Sequence, residues 1–230
     1  MKKLLILSLF LSAVFLLHAQ EDDGFKFSDQ GHDRALRFSL IHFLDPITPC
    51  AQLTYEYRLR YNTYLQHEFG VFFDYGANAG ALANLNGFRF RTARRTYRRQ
   101  NQAQKRRTYW EVEADYRYIH AESRGDFQIR STNGNGSFNR SMAYSVFDHS
   151  VAFNYNRGSV YKLGRNWQFD WGFGGGVRTH FRHTSDLPLP ENTRAIFLTN
   201  GDLFWRYNNG TGDLFFSLSL AITASLGYQF

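Results

Sequence analysis

Residues 213–230, DLFFSLSLAITASLGYQF, decide the fold, because apolar and polar side chains alternate along them almost without interruption. The large apolar residues that would share one face of an extended chain are Leu214, Phe216, Leu218, Leu220, Ile222, Ala224, Leu226, Tyr228 and Phe230. The residues between them are mostly small or polar. Successive side chains of a strand point to opposite faces, whereas a helix would scatter the two sets around its circumference. The stretch therefore predicts a long β-strand with one apolar face.

The same alternation recurs along most of the chain. It predicts strands at 34–44, 51–60, 63–76, 108–121, 142–157, 166–182, 195–208 and 213–230. Several are far longer than the roughly 5 to 6 residues of a soluble strand and suit a tilted membrane strand of about 9 to 11 residues or more. Around Val146 and Phe147 the alternation slips by one residue, which a β-bulge would explain.

These strands predict an all-β, antiparallel, transmembrane up-and-down β-barrel with eight strands. A ten-strand alternative adds a strand at 125–132 and a hairpin at Asn200-Gly201. The eight-strand count is preferred, because the extra strands would be too short to cross lipid. It places the 123–141 and 183–194 connections on the periplasmic side. A secreted β-sandwich is the soluble alternative, and the strand lengths disfavour it.

The start of the chain predicts export. Lys2 and Lys3 precede an apolar run at 4–17, and Ala19 supplies a small residue for cleavage, as in a secretory signal peptide spanning 1–19. We expect a short lead at 20–33 and the barrel at 34–230. No later segment is apolar enough for a membrane helix, and a closed barrel is the other structure that satisfies its backbone in lipid. With Cys50 as its single cysteine, the chain is not a disulfide-stapled scaffold.

The predicted signal peptide, the alternating strands and the terminal Gly227-Tyr228-Gln229-Phe230 resemble small outer-membrane barrels of the outer membrane protein X and outer membrane protein A type. The resemblance implies location in the outer membrane of a Gram-negative cell. It implies contact with outer-membrane lipid and lipopolysaccharide. It also implies that the barrel assembly machinery recognises the last strand through Tyr228 and Phe230. It implies no activity.

A basic segment at 89–107 contains nine arginines and lysines and no acidic residue. We predict it as a loop outside the cell, where its cations would bind lipopolysaccharide phosphates, acidic glycans or an acidic surface or envelope protein. The anion-binding candidates are Arg94, Arg95, Arg98, Arg99, Lys105, Arg106 and Arg107. The alternative is a solvated loop without a specific ligand. Nucleic acid is not an expected partner of an exported protein.

Acidic residues alternate along one predicted strand. Glu111, Glu113 and Asp115 share a face, and we expect them to form ion pairs in the lumen with arginines of other strands such as Arg178. A narrow pore is the alternative use of such a lumen.

The tripeptide Asp148-His149-Ser150 contains the residue types of a hydrolase triad. Neighbours in a strand point to opposite faces, so His149 could act as base for Ser150 only if a bulge re-aimed one of them. We therefore predict no catalytic residue, no metal and no cofactor. The expected role is non-enzymatic anchoring, surface binding or envelope assembly, and a lipid A-modifying enzyme is the alternative.

Overall fold

The computed structural model describes residues 33–42, 49–74, 82–98, 106–131, 136–185, 187, 189, 193–199 and 213–230. The predicted signal peptide and nearly all of the predicted lead lie outside these ranges. The strands are β1 (Arg34–Ser39), β2 (Cys50–Arg60), β3 (Thr63–Phe72), β4 (Leu82–Tyr97), β5 (Arg106–Ser131), β6 (Ser137–Lys162), β7 (Trp167–Thr184), β8 (Thr193–Thr199) and β9 (Asp213–Gln229). In these ranges no helix is long and apolar enough to cross a membrane.

Eight of the strands close into a ring. Each of β1 to β6 pairs antiparallel with the strand that follows it, and β9 closes the ring between β7 and β1. The strand β8 stays outside the ring and pairs with residues 126–131 at the far end of β5. The predicted antiparallel barrel of eight strands is therefore confirmed.

Two of the predicted strand positions were wrong. The ring includes β4, which occupies much of the segment predicted as a basic loop. The predicted strand 195–208 overlaps β8, which is not a wall strand, and its later residues lie outside the described ranges. Residues 125–131 continue β5 and do not form the separate strand of the ten-strand alternative.

The start of β1 and the end of β9 lie at one end of the barrel, which we call the terminal end. The amide of Phe230 donates to the carbonyl of Arg34 at 3.1 Å, and the amide of Tyr97 donates to the carbonyl of Asn62 at 2.9 Å. The β2–β3 turn, the end of β4 and the start of β5 therefore lie at the terminal end, and β5 and β7 end at the opposite, distal end. The basic segment was predicted at the end away from the termini, and the 123–141 and 183–194 connections at the end with them. The described residues place them the other way round.

The two faces of the barrel wall differ along its length. Between the terminal end and about residue 120 of β5, apolar side chains point outward and polar ones inward. Beyond that level β5, β6 and β8 form a distal extension in which apolar side chains point inward. The cluster they build contains Cys50, Phe72, Leu85, Ile119, Ala121, Phe127, Ile129, Met142, Tyr144, Val146, Leu187 and Ala195.

The predicted bulge at Val146 and Phe147 does not occur. Pairing between β5 and β6 runs in one unbroken register, from Arg106 opposite Tyr161 to Arg130 opposite Ser137. Val146 points inward and Phe147 outward, as uninterrupted alternation requires. The apparent slip is a reversal of which face is apolar, without a change in strand geometry.

Candidate functional site

The lumen is filled by an ion-pair network centred on Arg91 of β4. Its guanidinium is 4% exposed and binds Glu113 at 2.5 Å, Glu68 at 2.9 Å and also Glu111. The residue lies opposite Glu68 in β3 and opposite Asp115 in β5, so antiparallel pairing alone brings these charges together. Asn154 and Asn156 of β6 donate further hydrogen bonds to Glu113, at 2.6 and 2.8 Å.

Toward the terminal end, Arg37 and Arg95 continue the network. Arg37 makes a bidentate contact with Glu56, at 2.8 and 2.6 Å. Arg95 bridges Glu111 at 2.8 Å and Asp170 at 2.5 Å, and its guanidinium lies 3.6 Å from the ring centroid of Tyr109. These contacts tie β1, β2, β4, β5 and β7 together across the lumen.

Toward the distal end, Asp115 is the shared acceptor. It takes hydrogen bonds from Arg89 at 2.6 Å, Arg117 at 2.8 Å and Arg178 at 3.1 Å. His42, which follows β1 and lies outside the strands, contacts Arg89 at 3.2 Å. Burial and the nearby Arg89 cation lower the pKa of His42 to about 3, so the ring is neutral and accepts a hydrogen bond from Arg89.

The network leaves little free space at this level. A cavity of about 20 Å³ is bordered by His42, Glu68, Arg91 and Asp170, among others. That volume suffices for about one water molecule. At the level of the network the lumen is therefore a packed, charged core.

All four lumen residues named from the sequence take part in this network: Glu111, Glu113, Asp115 and Arg178. Arg89 and Arg91 were not predicted as lumen residues, because the basic segment was assigned to a loop. A signal was present, since Phe88 and Phe90 alternate with these arginines and predict a strand.

The anion-binding candidates divide into three groups. Arg95 is buried in the network, and Arg107 lies in the lumen with its guanidinium 4.2 Å from the ring centroid of Tyr97. Arg98 and Arg106 are exposed at the terminal end, and Arg94 is exposed on the outer face opposite Val112; we call the three residues the basic rim. Arg99 and Lys105 lie outside the described residues. The predicted single loop site is therefore replaced by a lumen set and a rim set.

Aromatic side chains form two bands on the outer surface. The terminal band contains Trp110, Tyr155, Trp167, Trp171 and Tyr228, with Trp167 and Tyr228 in edge contact at 5.4 Å. The distal band contains Tyr116, Tyr118, His120, Phe147, His149 and His183, with Phe147 stacked between two histidines at 4.6 and 4.7 Å. Residues 110 and 120 of β5 mark the two levels. Ten residues at about 3.4 Å each, tilted by about 40°, separate the bands by roughly 26 Å.

His149 and Ser150 point to opposite faces of the wall, as expected for neighbours in a regular strand. His149 faces outward, with Nδ1 2.9 Å from the hydroxyl of Tyr116, while Ser150 is buried on the lumen side. In the described part of the chain no cluster of three histidine, cysteine or acidic side chains has the arrangement of a metal site. Of the terminal residues, Tyr228 accepts a hydrogen bond from Asn166 at 2.8 Å, and Phe230 is 59% exposed.

No protein-family model matches the chain, and no curated protein matches it. Among solved structures the chain is similar to the N-terminal β-barrel domain of Pseudomonas aeruginosa OprF, with 11% sequence identity and a TM-score of 0.41. The match covers 87% of this chain and 100% of that domain. At this level the likeness carries no argument, and the barrel assignment follows from the strand pairing of the chain itself.

Proposed function

We propose that the protein is a closed outer-membrane β-barrel that does not conduct ions. Its role is to hold its terminal and distal ends at the two surfaces of the membrane. The proposal rests on the positions of the charged and apolar side chains in the wall, which are the reverse of those in a soluble protein. Between the terminal end and about residue 120 of β5, charged side chains form the core and large apolar side chains are on the outside.

The outer surface supports membrane insertion. Leu218 and Leu220 are 86% and 83% exposed, and Phe153 and Val177 are 60% and 58% exposed. A soluble protein does not expose so large a continuous apolar area. The estimated 26 Å between the aromatic bands agrees with the apolar height of about 25 Å of outer-membrane barrels. Export by the predicted signal peptide, and recognition of Tyr228 and Phe230 by the barrel assembly machinery, belong to the same proposal.

The packed lumen supports a non-conducting barrel and disfavours the narrow pore. Arg37, Arg91 and Arg95 cross the lumen to carboxylates on other strands. An ion entering at this level would have to separate buried charges that are held by several hydrogen bonds. Separating each pair costs about 3–5 kcal/mol.

The test is single-channel recording in planar bilayers, with insertion verified by the slower or faster gel migration of unboiled protein. We expect no conductance steps from inserted wild-type protein. The variant Arg91→Ala with Arg95→Ala, which removes two arginines from the centre of the network, is the comparison expected to open a path. Regular wild-type conductance steps would contradict the closed barrel.

The basic rim is the second part of the proposal. With both termini in the periplasm, as in the barrels that the chain resembles, Arg94, Arg98 and Arg106 would contact anionic groups on the periplasmic side. This replaces lipopolysaccharide as the partner of these residues. Lipopolysaccharide and any surface protein partner would then meet the distal end. Nucleic acid remains outside the proposal.

Reconstitution into vesicles tests the rim. We expect wild-type protein to insert more efficiently into vesicles containing phosphatidylglycerol than into neutral ones, because exposed arginines attract anionic headgroups. The triple variant Arg94→Gln, Arg98→Gln, Arg106→Gln should lose that preference. The matched control is Arg124→Gln, Arg130→Gln, Arg140→Gln, which removes exposed arginines from the distal extension. An equal loss of this preference in both variants would show that the overall charge of the protein, and not the position of the rim arginines, determines insertion.

A further inference from the structure

Three lumen side chains at the distal edge of the charged network form a hydrogen-bonded chain. The carboxylate of Asp148 lies 3.1 Å from Nδ1 of His180, and Nε2 of the same ring lies 3.1 Å from Oγ of Ser217. These distances fall in the range of about 2.6 to 3.2 Å expected between a nucleophile, its base and the group that orients the base. The order carboxylate, imidazole, hydroxyl is that of a serine hydrolase triad.

Strand register builds this arrangement from residues far apart in sequence. Asp148 belongs to β6, His180 to β7 and Ser217 to β9, three strands that are consecutive in the wall. Asp148 pairs with Arg182, two residues beyond His180, and His180 pairs with Phe215, two residues before Ser217. All three side chains therefore lie on one diagonal of the lumen face, where cross-strand diagonal neighbours can touch.

The contacts around His180 fix the orientation of its ring. Asp148 is 2% exposed and also accepts a hydrogen bond from Nε of Arg182 at 3.2 Å. The ring of Phe215 stacks on His180 with centroids 4.6 Å apart and planes 3° from parallel. The carboxylate therefore favours a proton on Nδ1, which leaves Nε2 as an acceptor toward Ser217. His180 and Ser217 keep partial exposure, so a ligand in the distal lumen could reach them.

A cation lies beside the hydroxyl. Arg178 is directly opposite Ser217 in the register, and both residues are on the lumen face. Its Nη2 binds Asp115 at 3.1 Å, whereas its buried Nε makes no hydrogen bond to any described residue. A buried donor without an acceptor is unfavourable, and it would be satisfied by the oxygen of a bound ligand.

We propose that Asp148, His180 and Ser217 form a catalytic triad that hydrolyses carboxylic esters with an apolar acyl group. This activity goes beyond the anchoring role. The substrate class follows from position, because the triad lies where the charged network meets the apolar cluster containing Val146 and Leu187. Phe215 adds an apolar wall beside the base.

The chemistry balances with water as the second reactant. Oγ of Ser217 attacks the ester carbonyl carbon while Nε2 of His180 takes its proton, and Arg178 stabilises the oxyanion. The carbon–oxygen bond to the alcohol then breaks, and His180 returns the proton to the departing alcohol. Water, deprotonated by His180, attacks the acyl-serine, releases the carboxylic acid and restores the hydroxyl of Ser217.

The test uses detergent-folded protein, a fluorophosphonate probe that labels activated serines, and p-nitrophenyl butyrate as substrate. We expect labelling and turnover in the wild type. Both should fall by on the order of a thousandfold or more in Ser217→Ala and His180→Gln. The matched control is Ser150→Ala, which removes another lumen serine that pairs with His180 in the register, and it should keep both. Gel migration of unboiled protein verifies folding of each variant.

Mass spectrometry of the labelled wild type identifies the serine that carries the probe, and it tests the proposal even if a variant misfolds. A probe adduct on Ser217 supports the triad. An adduct on another serine, no adduct on folded protein, or undiminished turnover in folded Ser217→Ala would show that His180 only cross-links the wall.

Discussion

The strands β5 and β6 run through both the charged part of the barrel and the distal extension, and the polarity of their two faces is opposite in the two parts. Between residues 107 and 115 of β5, inward positions carry Glu111, Glu113 and Asp115, and outward positions carry Trp110 and Val112. Between residues 121 and 130 the inward positions carry Ala121, Ser123, Gly125, Phe127 and Ile129, of which only Ser123 is polar. The outward ones there are Glu122, Arg124, Asp126, Gln128 and Arg130.

The comparison shows that the face of a strand on which apolar side chains lie depends on what surrounds the strand more than on its backbone geometry. Alternation with period two persists through both parts because the pleat is continuous. In the proposed membrane position, the outward side chains up to about residue 120 face lipid and are apolar, and the charges pair inside. Beyond that level the outward side chains would face water, and the interior becomes an ordinary apolar core around Phe127 and Ile129. The reversal near residue 120 therefore marks the expected membrane surface.

The largest expected effect comes from removing the central cation. Arg91→Ala leaves Glu68, Glu111 and Glu113 buried without their shared partner. Breaking a buried ion pair from one side costs about 3–5 kcal/mol, so the free energy of unfolding should fall by about that amount. Urea unfolding of vesicle-inserted protein, followed by tryptophan fluorescence, measures it.

The matched control is Arg98→Ala, which removes an exposed arginine just beyond the end of the same strand, level with Thr108. Its effect should stay within about 0.5 kcal/mol, because it leaves no buried charge unpaired. Equal losses in the two variants would show that the lumen network is not what stabilises the barrel.

The second prediction places a charge on each outer surface. Leu218 lies opposite Val177, midway between the two aromatic bands, so Leu218→Arg puts a cation at the centre of the lipid-facing band. The cost of arginine at the midplane is about 2–4 kcal/mol. Ser141→Arg places the same side chain outward on the distal extension, beside Asp126, and should change the free energy of unfolding by less than about 0.5 kcal/mol. If both variants unfold alike, the proposed membrane level is wrong.

Much of the wall could be predicted from sequence, because period-two alternation needs no information from outside the strand. β2, β3, β7 and β9 begin and end within a few residues of the predicted limits. β4 was missed because its arginines have the composition of a solvated loop. Their partners, such as Glu68 and Asp170, become visible only when the strands are paired.

The candidate catalytic site was less predictable than the wall. The sequence drew attention to Asp148-His149-Ser150, which has the residue types of a triad, but adjacency in a strand argued against contact between His149 and Ser150. The structure keeps Asp148 and supplies His180 and Ser217, which are 32 and 69 positions away along the chain. Contacts of this kind depend on the register of three strands, and a shift of two residues in any of them would separate the side chains.

The smallest expected effect comes from removing one methylene group, either inside the distal extension or on the outer surface of the charged part of the barrel. Ile129 is 2% exposed inside the distal extension, whereas Ile222 is 57% exposed on the proposed lipid-facing surface. Ile129→Val should cost about 0.5–1.5 kcal/mol, because it leaves a void in a packed core. Ile222→Val should cost less than about 0.5 kcal/mol, because lipid chains refill the space. Hydrogen exchange of the amides around each site measures both. A larger loss at Ile222 would mean that this face packs against protein and not against lipid.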